Sequence, residues 1–201
     1  MGLTLLTCNI REKKENTLKY LTIIILIFIS SASHANERMT LDEFCKVNPC
    51  RKDLTIKLKR IDGSDFQNIF KLLPPAVQPA FISIYAGETL YIEANEGKDA
   101  PTDFIQVKEM KNPEKTIVFI LKQKNKMGDA KSMLLTVINP FSKDIRYSMG
   151  MMPLDKERLI KTSSCPVLAR KSTFEIWPFP IFQIVVGNIH FKKKNDDGVC
   201  K

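Results

Sequence analysis

The chain has 201 residues, 44% of them hydrophobic, and a formal net charge of +9. It holds two histidines, one of them in a segment expected to be removed, which excludes metal sites built from several imidazoles. No internal repeat or low-complexity tract is present, so one domain with a single core is expected.

The N-terminus carries Arg11, Lys13, Lys14 and Lys19, then an uncharged apolar run from Tyr20 to Ile29, then Ser30-Ser31-Ala32-Ser33-His34-Ala35. That order of basic, apolar and small residues is the pattern of a secretory signal peptide. Ser33 and Ala35 offer the short side chains that a signal peptidase accepts before the cut, so residues 1–35 are expected to leave and Asn36 to begin the exported form. A retained anchor would need roughly 20 apolar residues, and polar Ser30 ends this run early. The four cations and two acids before Ala35 carry +2 of the charge, leaving +7 beyond it. A moderate excess of that kind reads as a solvated, mixed-sign surface.

Cys8 leaves with the signal, and Cys45, Cys50, Cys165 and Cys200 remain. Four cysteines in an oxidising compartment predict two disulfides, whereas zinc favours closely spaced C-x2-4-C pairs. Three pairings are open; Cys45 with Cys50 is favoured because Pro49 promotes a turn between them, and Cys165 with Cys200 because it ties down the chain end. Loop entropy gives the long bridge about 4 kcal/mol and the short one about 2.

Thr40-Leu41-Asp42-Glu43 fits a capping box, predicting a short helix from Leu41 to Val47. The period then changes to 2, with Leu54, Ile56 and Leu58 on one face of a strand that ends at the Asp62-Gly63-Ser64-Asp65 turn. Gln67 to Leu73 is open between strand and helical turn, and Pro74, Pro75 and Pro79 predict a loop after it. Phe81 to Tyr85 and Thr89 to Ala94, joined by Ala86-Gly87-Glu88, read as a hairpin. Phe104 to Val107 follows, then Thr116 to Leu121 (TIVFIL), whose continuous apolar run suggests a strand buried on both faces. Lys122 to Lys131 is a polar turn containing Gly128-Asp129. Met133 to Ile138, Ile145 to Met151, Leu159 to Ser163, Thr173 to Ile176 and Phe182 to Phe191 complete about ten strands. Short strands with turns between them and no long helix predict an all-β, antiparallel two-sheet sandwich over residues 36–201. The segment Leu134 to Met151 (LLTVINPFSKDIRYSMGM) resembles the strand, Asn-Pro turn, strand unit of exported bacterial immunoglobulin-like domains, which implies an immunoglobulin-like sandwich and transfers no functional residue.

Catalytic patterns are scarce. A Ser-His-Asp or Cys-His arrangement would have to use His190, which alternates with Ile189 and Phe191 in a strand, where a solvent-facing imidazole is the common case. The acid pairs Asp42-Glu43, Asp155-Glu157 and Asp196-Asp197 lie in polar turns. No phosphate loop, nucleophile elbow or H-E-x-x-H motif occurs. Met149, Met151 and Met152 could offer thioethers to Cu(I), yet Ile145, Tyr147, Met149 and Met151 share one strand face, as a sheet core does.

Two features suggest binding. Glu175-Ile176-Trp177-Pro178-Phe179-Pro180-Ile181-Phe182 must be a strand break or an edge, because its prolines cannot donate to a ladder. Trp177, Phe179 and Phe182 then either plug the core or form a rim that receives a partner. The basic sets Lys122, Lys124, Lys126 and Lys131, and Lys192, Lys193 and Lys194, are solvated runs unless the fold brings them together as an anion site. The expected function is therefore a non-catalytic, periplasmic or secreted bacterial accessory protein that binds another envelope or secreted protein. An anion-binding module for lipid head groups or polysaccharide ranks second, and a hydrolytic enzyme third. No cofactor, no nucleic-acid partner and no membrane span in the exported form are expected.

Overall fold

Along Met133–Ile138 every second side chain is buried, and Met133, Leu135 and Val137 are fully enclosed. The same alternation runs through Ile145–Pro153, where Ile145, Tyr147, Met149 and Met151 point inward. Period-2 burial of this kind lets each strand cover one side of a shared core. The computed structural model describes residues 39–124, 131–193, 196 and 198–200. The expected signal peptide, Lys126, Lys194 and Gly128-Asp129 lie outside the described residues.

In chain order the elements are helix α1 (Leu41–Val47) and strands β1 (Arg51–Lys59), β2 (Asp65–Leu73), β3 (Val77–Gln78), β4 (Phe81–Tyr85), β5 (Thr89–Glu96), β6 (Pro101–Val107), β7 (Thr116–Gln123), β8 (Met133–Ile138), β9 (Ile145–Pro153), β10 (Ile160–Thr162), β11 (Ser172–Trp177) and β12 (Ile181–Phe191). The first sheet has the order β10-β9-β12-β4-β3 and the second β11-β8-β7-β5-β6, while β1 and β2 form a separate hairpin. All pairings are antiparallel, and the inner faces of the two sheets meet in one hydrophobic cluster. This is the sandwich that the strand pattern predicts. Cys45 is bridged to Cys50 and Cys165 to Cys200, and no helix among the described residues is long and apolar enough to cross a membrane.

One open alternative is decided and two local expectations are corrected. Gln67 to Leu73, left open by its sequence, is strand β2, paired to β1 from Arg51↔Leu73 to Lys59↔Asp65. The loop expected after Pro74 and Pro75 contains the two-residue strand β3. Phe81–Tyr85 and Thr89–Ala94 are not a hairpin: β4 pairs with β12 in the first sheet and β5 with β7 in the second. The three-residue link crosses between sheets because its backbone bonds are divided, Ala86 N–H donating to Phe182 and Gly87 N–H to Leu121. Gly87 supplies the φ of 92° that this corner needs.

The Asn-Pro segment is also a corner, carrying the chain from β8 in the second sheet to β9 in the first. Asn139 is 1% exposed. Its Nδ2 lies 2.8 Å from the Lys143 carbonyl and 3.1 Å from those of Val167 and Leu168, while its Oδ1 accepts from Phe141 N–H at 3.0 Å. One side chain thus ties together the backbone of two loops, adding to the bonds that Val167 makes with Ile145 and that Leu168 O accepts from Lys171 N–H. Asn139→Ala removes the side-chain partner of the Lys143 carbonyl and of the Phe141 N–H, and denaturant unfolding is expected to show a loss of about 1–3 kcal/mol. Asn139→Asp, which keeps the acceptor but faces three carbonyls with a carboxylate, is expected to lose at least as much; a loss below about 0.5 kcal/mol in both would contradict this role.

Candidate functional site

The aromatic cluster expected to anchor a partner belongs to the core. Trp177 ends β11 on its inner face, is 8% exposed, and donates from Nε1 to Thr162 Oγ1 at 3.2 Å. Phe179 is half-buried against the core. Phe182 is surrounded by Phe66, Phe70 and Tyr85, with ring centroids 6.4, 5.5 and 5.4 Å away. The prolines do mark a break, but its purpose is to cross from β11 in the second sheet to β12 in the first. Inward packing wins because the only Trp sits on the strand face shared with Glu175 and Thr173, opposite the exposed Phe174 and Ile176.

The lysine runs do not converge. Lys122 pairs across the ladder with Leu134 near the start of β8, and Lys124 N–H donates to Ser132 beside it. Lys192 N–H donates to Asp144, just before β9 and so past the far end of β8. The described lysines of the two sets, Lys122 and Lys124 against Lys192 and Lys193, therefore stand at opposite ends of the strands. Met149 and Met151 line the core on β9, as their spacing predicts for a sheet interior.

His190 lies on β12, an interior strand of the first sheet, opposite Arg146. A hollow of about 300 Å³ holds it together with Ser148 and Asp196. The hydrogen bonds of Ser148 turn it away from a relay. His190 Nδ1 donates to the Asn188 carbonyl at 2.7 Å, which leaves Nε2 as its acceptor, but Ser148 Oγ donates to Gly187 O at 3.1 Å and accepts from Asn188 Nδ2 at 3.2 Å, so its proton is directed elsewhere. A nucleophile whose proton is held by a backbone carbonyl has no base to activate it.

A second concavity lies where the sandwich is open at its β3–β6 side. It holds about 440 Å³ and is walled by Pro49, Pro75, Val77, Phe104 and Val107, with Arg51 at its base. Among the described residues β6 pairs only with β5, so alternate N–H and C=O groups along it face away from the sheet. Ile105, at its middle, is 62% exposed.

Arg51 fixes the position of this cleft. Its Nε meets Glu88 Oε1 at 2.9 Å, both side chains being less than a tenth exposed. Nη1 donates to the Pro74 carbonyl at 2.8 Å, Nη2 donates to the Ser83 carbonyl, and the guanidinium stacks 4.9 Å from the Tyr85 ring centroid. Glu88 Oε2 accepts the Tyr85 N–H at 2.7 Å. One cation thus ties β1, the proline loop, β4 and the β4–β5 corner together. Burial lowers the Arg51 pKa, and burial also raises the Glu88 carboxyl above its ordinary value, with Arg51 pulling it back down. Neither residue stands out in sequence, where Arg51 opens a strand and Glu88 sits in a turn. The one available signal is that each borders an apolar run. Among the described residues no group of three or more His, Cys, Asp or Glu side chains is placed to hold a metal ion. Compared with models of known families, with curated proteins and with solved structures, the chain has no match in any of the three.

Arg51→Met strands a buried carboxylate and is expected to cost about 3–5 kcal/mol at neutral pH, whereas Arg51→Met with Glu88→Gln recovers most of the loss. The sign with pH follows from the raised Glu88 pKa. Between its unfolded and folded values the native state binds more protons, so this group's contribution falls as pH rises through that window. The single variant's deficit should therefore shrink on acidification and the double variant's should not, as read by urea unfolding at a series of pH values. Equal losses at every pH would contradict the assignment.

Proposed function

We propose that this chain is an exported, non-catalytic binding module of the bacterial periplasm or exterior, which takes up an extended segment of another envelope or secreted protein along β6. The observation that carries this reading is the pairing of an open strand edge with an apolar cleft. Main-chain groups of β6 offer a ladder, and Pro75, Val77, Phe104 and Val107 offer walls for alternate side chains of an added strand. Arg51, whose donors are occupied by Glu88, Ser83 and Pro74, leaves the base of the cleft electrically balanced. An apolar stretch of the partner therefore suits it better than a charged one. Two disulfides fit an oxidising compartment, and the signal-like N-terminus supplies the route there. An anion site formed jointly by the two lysine runs has no support in their separation, and a hydrolase has none in the hydrogen bonds of Ser148.

A photo-cross-linking residue placed at Ile105 is expected to trap a protein in intact cells, through a contiguous apolar segment of that protein. The same residue placed at Ile69, which is 51% exposed on the hairpin, is the control and is expected to trap none. Equal products at both positions, or none at Ile105, would contradict the proposal.

A further inference from the structure

We propose that the opposite edge of the sandwich, built on β11, is a docking strip for an anionic phospholipid surface. Phe174 is 62% and Ile176 55% exposed on the outer face of this edge strand. Half-exposed Leu134, the ladder neighbour of Ile176, extends the apolar surface inward along the second sheet. Cations stand at both ends. Lys122 follows Leu134 in the same cross-strand row, and exposed Arg170 and Lys171 lead into β11. None of these three forms an ion pair among the described residues. The one carboxylate of the strand, Glu175, points inward and accepts the Cys165 N–H at 2.7 Å. Among the described residues the strip therefore offers apolar side chains between positive ends with no acid on its surface.

Charge and shape together select the occupant. A second copy docked in either direction would bring cationic ends against cationic ends. A protein interface requires about 800 Å² from each side, whereas this strip is little more than one strand wide and, at six residues, about 20 Å long. A bilayer interface accepts a narrow apolar wedge at the depth of its head groups, and its anionic lipids attract the flanking Lys and Arg, whose stems reach back to the surface. Four strand spacings separate β11 from β6, about 19 Å. A molecule resting on β11 thus holds the β6 cleft away from the bilayer, and neither site needs the other in order to bind.

The test is sedimentation with vesicles, using the chain as isolated, its N-terminus read by mass spectrometry and held constant across variants. Vesicles of phosphatidylglycerol and phosphatidylcholine mixed one to one are expected to bind it at 0.1 M salt, and vesicles of phosphatidylcholine alone to bind it at least tenfold more weakly. Phe174→Ser with Ile176→Ser should reduce binding to the mixed vesicles at least tenfold, and Lys122→Gln or Lys171→Gln about fivefold each. Ile105→Ser, on the far edge, should bind as the parent does, and unchanged circular dichroism keeps the comparison among folded molecules. Three results would overturn the proposal: equal binding to both vesicle types, full binding by the Phe174 and Ile176 double variant, or a photo-cross-linker at Phe174 that traps an acidic protein instead of lipid. The β6 reading stands or falls separately, on cross-linking at Ile105.

Discussion

A single buried guanidinium decides where the N-terminal third of this protein goes. Arg51 begins β1, yet its partners are the Pro74 carbonyl, the Ser83 backbone and the Glu88 carboxylate at the β4–β5 corner. Burial disfavours the charged form of both ionic partners, so the pair adds little net stability against an apolar replacement of the same shape. Its effect is on placement. With Arg51 held over Tyr85, the hairpin carries Ile56 and Leu58 into the core and sets Phe66 and Phe70 on Phe182. Secondary ties then align the hairpin tip, where the Gln123 side chain bonds both main-chain groups of Lys59, and Arg60 meets Asp155 at 2.8 Å.

The two long sides of the sandwich differ because of how the chain is closed there. On one side Trp177 reaches Thr162, and Cys165 is held both by Glu175 and by its bridge to Cys200, so β10 and β11 are joined across the sheets by side chains. What faces outward there is side-chain surface, apolar between cations. On the other side β3 has two residues and Pro49 and Pro75 stand beside it, so among the described residues no comparable tie covers β6. Backbone is what that side presents. The proposed roles follow this division, lipid toward the closed side and an extended peptide toward the open one.

Much of the fold is legible in the sequence because burial acts on every second residue. The apolar sets Leu54, Ile56 and Leu58, or Tyr147, Met149 and Met151, declare both strand and face. The TIVFIL run is legible in part, since Ile117, Phe119 and Leu121 fill the core while Val118 is covered on the other face and Ile120 only half so. Connectivity is less legible. Ala86-Gly87-Glu88 has hairpin length, and the divided backbone bonds of Ala86 and Gly87, with the pull of Arg51 on Glu88 across 37 residues of sequence, show why the chain changes sheets there. In sequence Trp177 is open between core plug and rim for a related reason, since flanking prolines mark a sheet crossing as readily as an exposed rim. The candidate sites were least visible: an open edge is defined by a strand that is missing beside it, and Phe174 and Ile176 read as ordinary strand residues until their alternation is set against the buried Trp177.

The central claim is that β6 presents an unpaired edge. Amide hydrogen exchange, resolved residue by residue in the isolated protein, tests it most directly. Along Phe104–Val107 the amides that face β5 should be protected and those that alternate with them should exchange as freely as surface loops, while β5 and β7 are protected throughout. Uniform protection along β6 would contradict the account.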